Sequence, residues 1–272
     1  MPIARVNDIA LYYESMGAGR SPLVLVHGFA CGIRSWDLQV PSLAPGRGVV
    51  AYDLRGHGIS EAPGEASAYS QATSVADLGA LLAHLGILRA ALCGLSMGGN
   101  IALNFALAHP DMVSALVVAD TGAGSDDTAD WVRDVHAFAR TLDRDGMEAF
   151  ADAACANQLF ARYIAQGPEA ERRIRACLMT HRAHGIAHTA REVLARRPTI
   201  YSLEDRLRRL RVPTLLIVGE HDDPCRKIHD FMARTIPGAR SVVLPGLGHL
   251  TPLEAPDRFN RLVSRFLAPA KR

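Results

Sequence analysis

The chain has 272 residues, 49% of them apolar and 21% charged, and a formal net charge of +2 at pH 7. That length buries a large core, in one domain with an insertion or in two domains, and the composition excludes a disordered or fibrous chain. The near-neutral balance gives no global attraction for nucleic acid or a membrane surface, and no apolar run reaches the roughly 18 residues of a membrane span.

In chain order, the opening MPIARVNDIALYYES lacks a basic stretch followed by an apolar one, so it does not read as a signal peptide. Its Asn7-Asp8 pair between two strand-like runs predicts a hairpin at a sheet edge. Short apolar runs bounded by turn residues then recur as PLVLVHG, GVVAYD, AALCG and ALVVAD, and later as PTLLIVG and SVVLPG. Each is rich in Val, Ile and Leu without polar alternation, the pattern of parallel strands buried on both faces. Between them, residues 74–86 place Val75, Leu78, Leu81, Leu82 and Leu85 at helical spacing and end on a glycine. Alternating strands and helices predict a doubly wound α/β fold.

The alternation stops between residues 122 and 203. That stretch is rich in alanine, arginine and histidine and reads as helices, such as DWVRDVHAFARTLD and MEAFADAACANQLFARYIA. The predicted organisation is therefore an α/β core of residues 1–122 and 204–272, with residues 123–203 as a helical cap or lid over one edge of the sheet. RLRRLR, just beyond, reads as the solvated face of a helix. Five cysteines, Cys31, Cys93, Cys155, Cys177 and Cys225, are odd in number and scattered, with no C-x-x-C pair. This argues against a disulfide scaffold or zinc cluster and fits a reducing cytoplasm.

CGLSMGG, residues 93–99, sets Ser96 between Gly94 and Gly98, after the strand-like AALC and before the helical run NIALNFALAHP. Strand, sharp turn and helix form the setting in which G-x-S-x-G presents a nucleophile. Such a turn strains the serine backbone and requires small neighbours. It also leaves the hydroxyl beside a helix N-terminus, where outward N–H groups favour developing negative charge. Four further stretches follow in order: VLVHGFACGIRSW, YDLRGHGIS, VGEHDDP and LPGLGHLTPLEAPDRF.

With these motifs in this order the chain resembles the α/β-hydrolase superfamily, and within it the serine esterases and lactonases. The resemblance covers nearly the whole chain outside the insertion and implies a mostly parallel eight-stranded sheet with helices on both faces. It also implies roles. Ser96 is the nucleophile, and His249 in GLGH is the base that a weakly nucleophilic hydroxyl needs. Asp222 is the acid that orients it, with Asp120 at the end of LVVAD and the adjacent Asp223 as alternatives. The backbone N–H groups of Phe29 and Met97 form the oxyanion hole. Cys31 and Trp36 follow the oxyanion loop and are candidates to line the substrate pocket or to pack beneath the cap. His27 braces that loop and His57 is structural. His181, His184 and His188 stand at helical spacing without supporting carboxylate or cysteine ligands, so they read as a solvated or lid-facing surface rather than a metal site.

A serine at the elbow argues against epoxide opening and halide displacement, where relatives use aspartate, and fits an acyl-enzyme. HGFACG lacks the Gly-rich oxyanion loop usual in C–C bond hydrolases, and Ala30 stands where perhydrolases commonly carry proline. The reading is an ester or lactone hydrolase acting on a small molecule, with no cofactor or metal, as a monomer or homodimer. C–C bond hydrolysis, perhydrolysis and a triad-bearing ligand receptor with negligible turnover are the alternatives. An unperturbed His249 would make activity rise near pH 6–7 as it loses its proton.

Overall fold

The computed structural model describes residues 2–19, 22–122 and 128–268. Eight strands form one sheet: β1 (Ile3–Val6), β2 (Ile9–Met16), β3 (Leu23–Val26), β4 (Val49–Tyr52), β5 (Ala90–Leu95), β6 (Val113–Ala119), β7 (Thr214–Gly219) and β8 (Arg240–Leu244). Their order is β1-β2-β4-β3-β5-β6-β7-β8. β1 and β2 pair antiparallel, β2 meets β4 antiparallel, and every other pairing is parallel. The turn joining β1 and β2 puts Asn7 at φ 47° and Asp8 at φ 60°. Left-handed geometry at both central residues matches the twist of a two-residue hairpin, and Asn and Asp tolerate it best among residues with a side chain.

The apolar runs become strands because helices cover both faces of the sheet. β3, β4, β5 and β7 are buried along their whole length. β8 departs from the expectation: Arg240 and Ser241 are exposed and Val242 and Val243 half-buried, because it is the edge strand and only its carboxyl end is covered. The helix expected over residues 74–86 starts earlier, at Gln71–His84, because the Ser70 side chain accepts from the Thr73 N–H at 2.9 Å and caps it.

Every element described between β6 and β7 is helical. Helix Thr128–Cys155 is broken at Gly146, where φ is 80°, and Gln158–Ile164, Pro168–Leu178 and Ala183–His188 follow. Thr189–Leu194 continues with π spacing, the Ala195 N–H donating to the Ala190 carbonyl at 3.0 Å. The expected boundary between core and cap at residue 122 abuts residues 123–127, which lie outside the described residues. Among the described residues no helix is long and apolar enough to cross a membrane.

Parallel strands deliver their carboxyl ends to one edge of the sheet, where ligand sites of such folds collect. The residues that follow β3, β5, β6, β7 and β8 are therefore brought together there.

Candidate active site

Ser96 follows β5 directly, at φ 55° and ψ −116°. A residue with a side chain adopts that backbone only when its surroundings over-determine it, at a cost of about 1–3 kcal/mol. The surroundings do so. A Cβ on Gly94 would lie 2.3 Å from the Gly98 carbonyl oxygen, and one on Gly98 would lie 2.1 Å from that of Val26. The glycines let β5, the turn and helix Met97–Ala108 approach closely enough to leave the Ser96 hydroxyl standing at the helix start.

The structure brings the His249 ring to this hydroxyl across 153 residues of sequence. His249 Nε2 is 3.0 Å from Ser96 Oγ, and His249 Nδ1 is 2.8 Å from Asp222 Oδ2. With the carboxylate accepting, Nδ1 carries the proton and Nε2 is free to accept from the serine. Asp222 and His249 are both buried. Burial disfavours the imidazolium, but the charge and hydrogen bond of Asp222, with Asp120 and Glu254 adding, outweigh it and hold His249 above its ordinary pKa of 6.5.

Of the three candidate acids, only Asp222 touches the imidazole. Asp223 is exposed in the first turn of helix Asp223–Thr235. Asp120 is fully buried and braces the loops instead. It accepts from the Gly219 N–H at 3.1 Å, the Thr251 N–H at 3.0 Å and the Thr251 hydroxyl at 2.6 Å. Burial first, then the Asp222 charge, push the Asp120 carboxyl well above the usual carboxylate range, against the pull of these donors. Glu254 does for the His249 loop what Asp120 does for its flanks, accepting from Gly248 N–H at 2.7 Å and Leu250 N–H at 2.9 Å. Cys225 lies at the same edge of the ring as Asp222, its Sγ 3.6 Å from His249 Nδ1. Asp222, Cys225 and His249 thus present potential ligand atoms within 4.8 Å of one another. Burial raises the Cys225 thiol well above its ordinary range, however, and the other two spend their facing atoms on each other, so the donor set does not suit a resident cation.

Facing the serine is the loop after β3. A Cβ on Gly28 would lie 3.3 Å from Ser96 Cβ, so the loop passes beside the hydroxyl. Among the described residues neither the Phe29 nor the Met97 backbone N–H has a protein acceptor. The loop is held from below. The His27 Nδ1–H donates to the Gly28 carbonyl at 2.8 Å, and Nε2 accepts from the Leu54 N–H at 2.9 Å. His57 Nε2 accepts from the Ala30 N–H at 3.3 Å. YDLRGHGIS supplies the rest of the brace. Asp53 accepts from Ile33 N–H at 2.7 Å and from Ile59 N–H at 2.9 Å, and Arg55 pairs with buried Asp77 at 2.9 Å.

Of the three histidines expected on a solvated or lid-facing surface, His184 is exposed and His188 half-buried, and only His181, just ahead of helix Ala183–His188, departs from the solvated alternative. His181 is buried and bridges, its Nε2–H donating to the Ala30 carbonyl at 3.0 Å while Nδ1 accepts from the Gly58 N–H at 2.7 Å. His184 and His188 bond the carbonyls of Ala62 and Gly64 at 2.9 and 3.0 Å. All three thus dock onto the turn at residues 58–64.

A cavity of about 60 Å³ opens on Ser96 and His249. Phe29 and Cys31 line it from below, and Trp131, Phe138, Phe150 and Phe160 from the helices. A wider groove of about 490 Å³ adjoins it, with Ala30, Cys31 and Phe160 common to both. Trp36 corrects the second pocket expectation. Its indole is fully buried, 6.3 Å from the ring of Phe259, because the turn Ile33–Trp36 packs it against helix Pro256–Leu267 and it does not line the cavity. The aromatic wall carries no local motif that would have marked it, and Glu254 lies within LPGLGHLTPLEAPDRF, where the sequence reading gives it no role.

Residues 21–256 match the family model described as alpha/beta hydrolase fold. The chain belongs to this family. It is 29% identical over 260 residues to 3-oxoadipate enol-lactonase 2 of Acinetobacter baylyi, covering 94% of this chain and 92% of that one. It is 31% identical over 265 residues to 2-hydroxymuconate semialdehyde hydrolase of Pseudomonas sp. strain CF600, covering 93% and 89%. The enol-lactonase structure from Burkholderia xenovorans LB400 superposes with a TM-score of 0.86 at 30% identity, over 98% of this chain and 99% of that one. These relatives are a lactonase and a semialdehyde hydrolase, and their named substrates differ.

Proposed function

We propose that the protein is a serine hydrolase that cleaves the carboxylic ester or lactone bond of a small substrate through an acyl-enzyme. The observation that carries this reading is the hydrogen-bonded run Ser96–His249–Asp222, at 3.0 and 2.8 Å, beside two backbone N–H groups without acceptors. Ser96 Oγ attacks the carbonyl carbon as His249 Nε2 takes its proton, and the bond to the alcohol oxygen breaks as His249 returns the proton to it. Water, deprotonated by His249, then attacks the acyl-enzyme and frees the acid and Ser96. Asp222 fixes the Nδ1–H tautomer and stabilises the imidazolium in both halves. The Phe29 and Met97 N–H groups receive the oxyanion, each contributing about 3–4 kcal/mol to the barrier reduction by analogy with other acyl transferases. No step requires a cofactor. Residues 123–203 act as the cap that closes the cavity and, with Cys31, shapes it for the substrate.

The test is turnover of p-nitrophenyl acetate by the wild type and by Ser96→Ala. The expected loss is at least about 10⁴-fold in kcat, with the fold intact by circular dichroism. Undiminished turnover in the variant rejects Ser96 as nucleophile. A vinylogous 1,5-diketone assayed in parallel separates C–C cleavage from ester cleavage, and tight ligand binding with negligible turnover would favour a receptor.

A further inference from the structure

Arg197 stands in the wall of the Ser96 cavity and plays no part in the chemistry above. It follows the π-wound turn Thr189–Leu194, and its Nη2 donates to the Gly122 carbonyl at 2.9 Å. Nε and Nη1 are shut off from bulk water and have no acceptor among the described residues. The residue as a whole is only half-buried, because its alkyl stem borders the surface beside Pro198. The charged end is the enclosed part.

Among the described residues no carboxylate compensates its charge either. Burial lowers the guanidinium to about 10, so it remains a cation at neutral pH. The neighbouring Cys225 thiol is pushed well above its ordinary range and offers no negative charge. The other arginines nearby are spoken for. Arg196 pairs with Glu192, Arg191 with Asp143, and Arg173 with Asp37. Among the described residues lining the cavity, Arg197 is the only Asp, Glu, Lys or Arg, and most of the wall is aromatic or aliphatic. An enclosed cation with unused donors costs stability unless a partner arrives to complete it. In a space of about 60 Å³ that partner must be small, and a flat two-oxygen anion matches the planar fork of donors.

We propose that Arg197 determines specificity by pairing with a free carboxylate on the substrate, so that the preferred substrates are half-esters or lactones carrying a second, ionised acid group. This inference rests on the hydrolase reading for its substrate, but not for its binding site.

The experiment compares mono-(4-nitrophenyl) glutarate with 4-nitrophenyl pentanoate, acyl chains of matched length with and without the carboxylate. Both are measured on wild type, Arg197→Met and Arg197→Lys, with uncatalysed hydrolysis subtracted. Arg197→Met is expected to lower the glutarate-to-pentanoate ratio of kcat/KM by about 10- to 100-fold, mostly through KM, and Arg197→Lys to restore part of it. A ratio unchanged in both variants, or a loss shared equally by the two esters, overturns the proposal. Should Arg197→Met fail to fold, the Arg197→Lys ratio decides alone, by a partial fall or none. If the wild type turns over neither ester, the hydrolase reading fails by itself, and glutarate binding decides the site. A rise in wild-type melting temperature with millimolar glutarate, diminished in Arg197→Lys, supports it, and no rise overturns it.

Discussion

The loops at the carboxyl edge of the sheet and the helices between β6 and β7 enclose the same cavity from opposite sides by different means. On the sheet side each reacting group hangs on buried hydrogen bonds. Asp120 gathers backbone donors from the loops that carry Asp222 and His249, Glu254 gathers them from the His249 loop alone, and Asp53, His27 and His57 fix the loop after β3. On the helical side the wall is made of side-chain bulk, with Phe29 and Phe138 both meeting Phe150 edge to face at 6.2 and 5.8 Å between ring centres. The helices reach the sheet through scattered polar docks, such as Gln166 onto the Glu254 carbonyl at 3.0 Å and His181 onto Ala30. A hydrogen-bonded network fixes geometry because small shifts leave buried groups unsatisfied. An apolar wall tolerates changes of shape at the cost of packing. Chemistry held by the first and selectivity held by the second can vary independently, as the differing named substrates of the relatives suggest.

The contrast breaks hardest at the acid. Asp222→Asn is expected to lower kcat on small esters by about 10⁴-fold, because an amide cannot hold the productive tautomer. Asp120→Asn should cost about tenfold, through disturbed loops alone. Equal losses from the two would mean that the acid has been wrongly assigned.

His181→Ala tests whether a residue between two of the helices beyond β6 helps to fix the loop after β3. It leaves the Gly58 N–H and the Ala30 carbonyl without their partners. The expected result is a loss of about 1–3 kcal/mol of stability in chemical denaturation and a fall of about tenfold in kcat, alike for short and long acyl chains. A chain-length-dependent effect would place His181 with the wall rather than the network.

Titration sharpens the same division. The proposed base must be neutral to act, and Asp222 holds His249 above 6.5, so kcat/KM should reach half its plateau above pH 6.5. The bracing histidines shift the other way, His27 and His181 each being lowered by burial to about 4. Between about pH 6.5 and 4 the unfolded chain then binds more protons at these two positions than the folded one, so they make stability fall as pH drops through that window, against the opposite contributions of the raised Asp120 and His249. Urea denaturation at several pH values on wild type and His181→Ala isolates the histidine part, and identical pH profiles would contradict a neutral, doubly bonded His181.

The smallest effect on rate is expected at the wall. Phe150→Ala should raise the kcat/KM of an octanoate relative to an acetate ester a few-fold, while destabilising the fold by about 3–5 kcal/mol through the void it leaves. Identical ratios in variant and wild type would remove Phe150 from the acyl pocket.

Much of this arrangement was legible in one dimension. Apolar runs marked the strands, Asn7-Asp8 the hairpin, and Gly94 and Gly98 the elbow, because each depends on residues adjacent in the chain. SVVLPG misled because an edge strand and a central strand share a composition and differ only in what covers them. The sequence left the places of Trp36 and His181 open for a related reason, since spacing fixes which side of an element a residue occupies and not what that side meets. The acid turn VGEHDDP already pointed to Asp222, but its hydrogen bond to the imidazole, the bracing by Glu254 and the guanidinium of Arg197, without a carboxylate partner among the described residues, belonged to the tertiary structure. Backbone preference acts over a few residues, whereas a hydrogen bond across 153 positions, or a charge stripped of water, exists only once the sheet has carried distant segments to its edge.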